Sequence, residues 1–285
     1  MTHILDLFAY QFMVNAFMAG TIASVLAAVV GWYVVLRREA FAAHTLAIVG
    51  FPGASAAALI GWPIAVGYFV FTGLGALAMM SAAGRAGGRQ ANETATVGTI
   101  QAFALGLGYL FGTLSHSNAS AAQALLFGSF LGITTAQVAA LAVIAALVLG
   151  TMARIARPLF FTSIDEDVAL ARGVPARGLT RIFVVVVGVT VATVSLITGA
   201  LLVFALLVMP AATAQRLTAR PGLGITYAVL IAVAVMWAGL ATSYVGNVPI
   251  GFTVTSYAFA AYVVVRVASS WASSGTSRAP SRSVA

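Results

Sequence analysis

The chain has no cysteine, no lysine and only six acidic residues among its 285 positions. Without cysteine there is neither a disulfide framework nor a thiolate metal site. The acids are Asp6, Glu39, Glu93, Asp165, Glu166 and Asp167, and none falls inside a long apolar run. Ion-driven carriers place an ionisable group at membrane depth to bind the driving ion, so this distribution argues against one. No Gly-x-x-x-x-Gly-Lys-Ser/Thr segment occurs, and the glycine-rich stretch GRAGGRQAN at 84–92 lacks the Lys-Ser/Thr that would cradle a nucleotide. Paired carboxylates, a Ser-His-Asp set and HExxH are also missing. The expectation is therefore a chain that is not itself an enzyme.

What is abundant is apolar surface. Hydrophobic residues make up 61% of the chain, charged ones 7%, and the mean hydropathy is +1.05. That composition predicts an all-α polytopic membrane protein with the lipid bilayer as its surroundings. Apolar segments lie at about 11–36, 43–60, 62–82, 94–114, 133–153, 179–198, 199–217, 222–243 and 250–270, giving about nine transmembrane helices. No basic region precedes the first of them, so no cleaved signal peptide is expected. The piece 119–132 is too short to span and reads as a short outer re-entrant helix. Residues 1–271 read as one transmembrane domain, and 272–285, rich in Ser, Arg, Pro and Ala, as a disordered cytoplasmic tail.

The net charge of +8 comes entirely from fourteen arginines at segment ends and in alternate loops. Such a distribution is a topology signal rather than a nucleic-acid footprint. Arg37/Arg38, Arg85/Arg89, Arg154 to Arg181, Arg216/Arg220 and Arg266/Arg278/Arg282 share one side only if the N-terminus is outside and the C-terminus cytoplasmic. The same count makes 179–217 cross twice. Gly108/Gly112 and Gly128/Gly132 have small-xxx-small spacing, read here as tight packing.

Eight of the twenty charged residues crowd into 154–181. Within that stretch Ser163 and Glu166 have capping-box spacing, and Asp165, Glu166 and Asp167 suit the positive end of a helix. Arg172 falls in the last turn, Gly173 offers a left-handed stop and Pro175 forbids continuation. About nine helical residues would reach roughly 14 Å, half a bilayer core. Ile164, Val168 and Ala171 form a small apolar stripe. A short, charged, capped helix outside the membrane is a candidate docking surface for a soluble partner.

Few residues offer chemistry along a pathway. Of three histidines, His44 lies near the cytoplasmic start of the second segment and His116 in an outer loop; each is a weak metal ligand by itself. Pro210, after Met209, removes a helical hydrogen bond and can bend its span. Asn247 offers an amide at an outer mouth. A packing kink and a turn residue explain the last two equally well.

Five blocks carry a family resemblance from about Phe17 to Val265: VVGWYVVLRREAF, ALLFGSFLGIT, IDEDVALARGVPARGL, GALLVFALLVMPAATAQRLT and SYVGNVPIGFTV. Together they resemble the membrane permeases of bacterial ABC importers for zinc, manganese and iron. One block departs. Where the family has Asp, Ser and His ahead of a Pro-Gly, this chain has His44, Ala47 and Ile48, with Pro52-Gly53 retained. The resemblance implies a permease in the bacterial cell membrane working with a second permease copy, cytoplasmic ATPase subunits that hold the ATP, and an extracytoplasmic metal-binding protein. It makes 163–173 the ATPase-coupling helix, and a divalent transition metal the substrate. A non-transporting membrane scaffold that recruits a cytoplasmic partner through the same helix is the alternative.

Overall fold

A bilayer core offers the backbone no hydrogen-bond partners, so a chain this apolar must satisfy its own amides, and helices do so within one segment. The computed structural model describes residues 10–83, 90–115, 126, 128 and 132–276. Its described residues form α1 (Gln11–Leu36), α2 (Ala40–Ile60), α3 (Ile64–Ala83), α4 (Gln90–Leu114), α5 (Thr135–Ile164), α6 (Glu166–Ala171), α7 (Ala176–Thr198), α8 (Ala200–Leu217), α9 (Pro221–Gly246) and α10 (Ile250–Thr276). All but α6 are long and apolar enough to cross a membrane, nine among the described residues. The re-entrant element expected at 119–132 falls mostly outside the described residues. So does His116. The last helix continues to Thr276, past residue 271 where the sequence ended the transmembrane domain.

Two groups of helices meet across α7. On one side α2 packs against α3 and α4; on the other α1 packs against α8, α9 and α5, and α8 against α10. α7 touches α3, α5, α1, α2 and α8. Missing side chains set the closest crossings. A Cβ on Gly31 would overlap the Leu207 carbonyl, which fixes how near α1 comes to α8. Gly53 and Gly67 stand in the same relation, each backbone occupying the space of the other's absent Cβ. That contact joins α2 to α3 and accounts for the glycine of the Pro52-Gly53 pair. Gly108 faces the Phe51 ring, so this small residue serves packing of α4 on α2.

α7 and α8 are separate helices, as the arginine count required. The break is Gly199, with φ 81° and ψ 153°, a conformation that side-chain-bearing residues rarely adopt. Gly128 lies directly against the Thr198 carbonyl at this turn, and Asn15 Nδ2 donates to the Ile133 carbonyl at 2.9 Å.

The fifth span departs from expectation. Instead of ending near 153, α5 continues for 30 residues through Arg154, Arg157 and Pro158 to Ile164. Its start is a full capping box between Thr134 and Gln137. Its extension is held by α1: the Tyr33 hydroxyl donates to the Ala156 carbonyl at 3.3 Å, and Phe160 stacks on Trp32 at 6.1 Å. Packing thus outweighs the hydrogen bond that Pro158 removes.

Candidate functional site

The short helix exists, but with a different cap. Ser163 belongs to α5, where its hydroxyl donates back to the Leu159 carbonyl at 2.6 Å. Asp165 is the N-cap: its backbone is extended, and its carboxylate accepts from the Val168 amide at 2.9 Å. The expected Ser163–Glu166 capping box is therefore corrected to an Asp165 cap on the six-residue α6. The reason is that α5 runs on until Asp165, which leaves Ser163 no free helix end to cap. Glu166 and Asp167 do occupy the first turn.

The C-terminal stop is as the sequence implies. Arg172 is the C-cap and Gly173 is left-handed at φ 77°. The Val174 amide donates to the Ala169 carbonyl at 3.0 Å and the Gly173 amide to the Leu170 carbonyl at 2.9 Å. These two bonds are the paired closures of a Schellman motif.

α6 turns one small residue inward and keeps its larger apolar side chains outside. Ala169 is 3% exposed, whereas Val168 and Leu170 are 50% and 48% exposed, next to Ile164 at the end of α5, which is 64% exposed. Ala171 and Arg172 are exposed as well. The stripe read from the sequence is thus an open surface. Leu170 extends it, which helical periodicity from Ile164 alone did not suggest.

Arg37 anchors the base of this helix. Its Nε donates to Glu39 at 2.8 Å, Nη2 to the Thr180 hydroxyl at 3.1 Å and Nη1 to the Ser163 hydroxyl at 3.5 Å. Its guanidinium also lies 5.4 Å from the centre of the Phe183 ring. One side chain, 12% exposed, therefore ties the end of α1 to the end of α5 and the start of α7. Sequence reasoning gave Arg37 no anchoring role, because two of its partners, Ser163 and Thr180, lie more than a hundred residues away.

Beside Arg37 a cavity of about 570 Å³ opens between the ends of α1, α2, α3, α4 and α7, and Glu166 of α6 reaches its rim.

The pathway candidates lie on three different helices: His44 on α2, Met209 and Pro210 on α8, and Asn247 at the end of α9. His44 is half-buried, with its ring 4.6 Å from that of Phe204 on α8 and its Nδ1 buried without a hydrogen-bond partner. Ala47 and Ile48 are buried, and the Ala47 carbonyl accepts from the Tyr68 hydroxyl at 2.6 Å. Pro210 is buried within α8, where the Thr213 hydroxyl donates to the Met209 carbonyl at 2.7 Å. Asn247 is exposed and left-handed at φ 51°, capping α9. Among the described residues no three His, Asp or Glu side chains come together as a metal site.

Several known proteins are similar to this chain. The chain is 30% identical over 247 residues to a Treponema pallidum protein named "Probable metal transport system membrane protein", covering 86% of this chain and 91% of that one. It is 28% identical over 228 residues to the chelated iron transport system membrane protein YfeC of Yersinia pestis, covering 80% and 76%. Its fold matches a chain of PsaBC from Streptococcus pneumoniae, solved in complex with Fab, with a TM-score of 0.82 at 22% identity, covering 92% and 93%. A family model described as the ABC 3 transport family matches residues 9–269, nearly the whole described body. The chain belongs to the ABC 3 transport family.

Proposed function

We propose that this chain is the permease of an ATP-driven importer that carries a divalent transition metal, zinc, manganese or iron, into the bacterial cytoplasm. Membership of the ABC 3 transport family and the metal-transport names of its relatives support the substrate class. The permease binds no nucleotide itself. ATP is hydrolysed on separate cytoplasmic subunits, a second permease copy completes the pathway, and an extracytoplasmic protein delivers the metal. The N-terminus lies outside the cell membrane and the C-terminus inside, the orientation that puts every arginine cluster in the cytoplasm. His44, Met209, Pro210 and Asn247 are the pathway candidates of this chain, with His116 a weaker ligand at the outer mouth.

The observation that carries this reading is α6. A doubly capped helix outside the membrane leaves Val168 and Leu170 exposed beside Ile164, the last residue of α5. Burying side chains of this size contributes a few kcal/mol at ~25 cal/mol per Å² of apolar area. That is enough for a docking contact and little enough for one defect to matter. In the complex α6 enters a groove on the ATPase, with Asp165 and Asp167 facing basic residues there.

The test uses Val168→Asp, which places a charge in the contact, and Gly173→Val, which forces a β-branched residue into the left-handed stop at a cost of about 1–2 kcal/mol. Both variants should insert normally, yet fail to co-purify with the ATPase and lose ATP-dependent metal uptake. If both retain the ATPase, α6 is a solvated loop and the coupling reading fails.

A further inference from the structure

We propose that the cavity beside α6 is a binding site for an anionic phospholipid, whose phosphate sits between Arg177 and Arg181 and whose acyl chain enters the helix bundle. At about 570 Å³ the cavity is the size of a small-ligand site. Its lining changes along its depth. Arg37, Glu39, Arg177 and Arg181 lie at or within two turns of the ends of α1, α2 and α7, with Glu166 on α6, whereas Leu46, Ile100 and Val187 lie farther along α2, α4 and α7. On α7, Val187 is ten residues beyond Arg177, roughly 15 Å at ~1.5 Å per residue. A water-soluble anion would leave that apolar depth empty, whereas a lipid fills both ends.

The charges select the headgroup. Arg37 is engaged by Glu39, Ser163 and Thr180. Arg177 and Arg181 are exposed, lie one helical turn apart on one face of α7, and make no hydrogen bond or ion pair among the described residues. Among the described lining residues Glu166 is the remaining acid, which leaves one positive charge in excess there. A phosphatidylglycerol headgroup answers both features: its phosphate pairs with the two arginines, and its hydroxyls donate to Glu166. Basic pockets between membrane helices at a leaflet surface are established lipid-headgroup sites in general. Because Glu166 belongs to α6, the occupant of this cavity touches the same helix that forms the docking surface. The proposal needs only the leaflet on the α6 side and stands whatever α6 docks to.

The test reconstitutes the full chain in nanodiscs of equal phosphatidylglycerol and phosphatidylcholine, extracts it in detergent and counts retained lipid by native mass spectrometry. Phosphatidylglycerol should be enriched. The double variant Arg177→Gln/Arg181→Gln should lose about 30-fold of that retention, from roughly 1 kcal/mol per arginine at an anionic surface. Arg177→Lys/Arg181→Lys should keep most of it. Ala43→Phe, which fills the apolar part and leaves both arginines, should also lose it. Added inorganic phosphate should not displace the lipid. Equal retention of the two lipids, unchanged retention in the Gln variant, or displacement by phosphate would each overturn the proposal. The exposed arginines can be neutralised without disturbing the fold, so the result stays readable if Ala43→Phe folds poorly.

Discussion

Arg37 shows how much one side chain can organise in a protein that is 7% charged. Its planar fork reaches acceptors on three segments at once while its face lies on Phe183. A lysine would bring the same charge on a single point and could not span them. Charge-assisted hydrogen bonds are worth about 1.5–3 kcal/mol each when lost. Arg37→Ala should therefore lower stability by about 2 kcal/mol or more, read as a reduced melting temperature in detergent, and Arg37→Lys should recover less than half of it. Full recovery by lysine would mean that the charge alone matters. The residues to which sequence analysis assigned chemistry behave differently. Asn247 holds a left-handed cap, and His44 packs on Phe204 with its Nδ1 buried and without a hydrogen-bond partner.

Among the elements, α6 is the one whose existence the sequence made legible and whose start it misplaced. Its stop depends on Gly173 and Pro175, neighbours that act locally whatever surrounds them. Its start depends on where α5 ends, which α1 decides through Tyr33 and Trp32. The corrected cap makes a sharp contrast. Asp165→Ala removes the only side-chain N-cap and should cost α6 about 1 kcal/mol, a large share for six residues. Ser163→Ala should stay within ~0.5 kcal/mol, since its hydroxyl only donates back to its own helix. Uptake and ATPase co-purification should fall in the first variant, hold in the second, and return in Asp165→Ser. The opposite order would restore Ser163 as the cap.

At the scale of the whole molecule, the arginine distribution sets an orientation that labelling can test. The chain has no cysteine, so single-cysteine variants need no background removed. Val245 at the end of α9 and Arg177 at the start of α7 are both exposed and lie on opposite sides in the arginine-based topology. A membrane-impermeant maleimide added to intact cells should label Val245→Cys only. Arg177→Cys should react only in inverted vesicles. Outside labelling of Arg177→Cys would reverse the topology.

The long apolar runs by themselves determined that the chain folds as membrane-length helices, and how many the described body contains. A run of about twenty apolar residues has no other way to satisfy its backbone in lipid. Local chemistry likewise determined the Gly173 stop and the acidic first turn of α6. Only the tertiary structure decided that α5 passes through Pro158, that Asp165 rather than Ser163 caps α6, and that Arg37 joins three segments. It alone brought Gly31 against Leu207 and opened the cavity beside Arg177 and Arg181. Backbone satisfaction and capping are settled within a few residues of chain, so their signals are written in order along it. Close crossings, shared arginine partners and cavities arise between residues far apart in sequence, and become definite only when the helices pack.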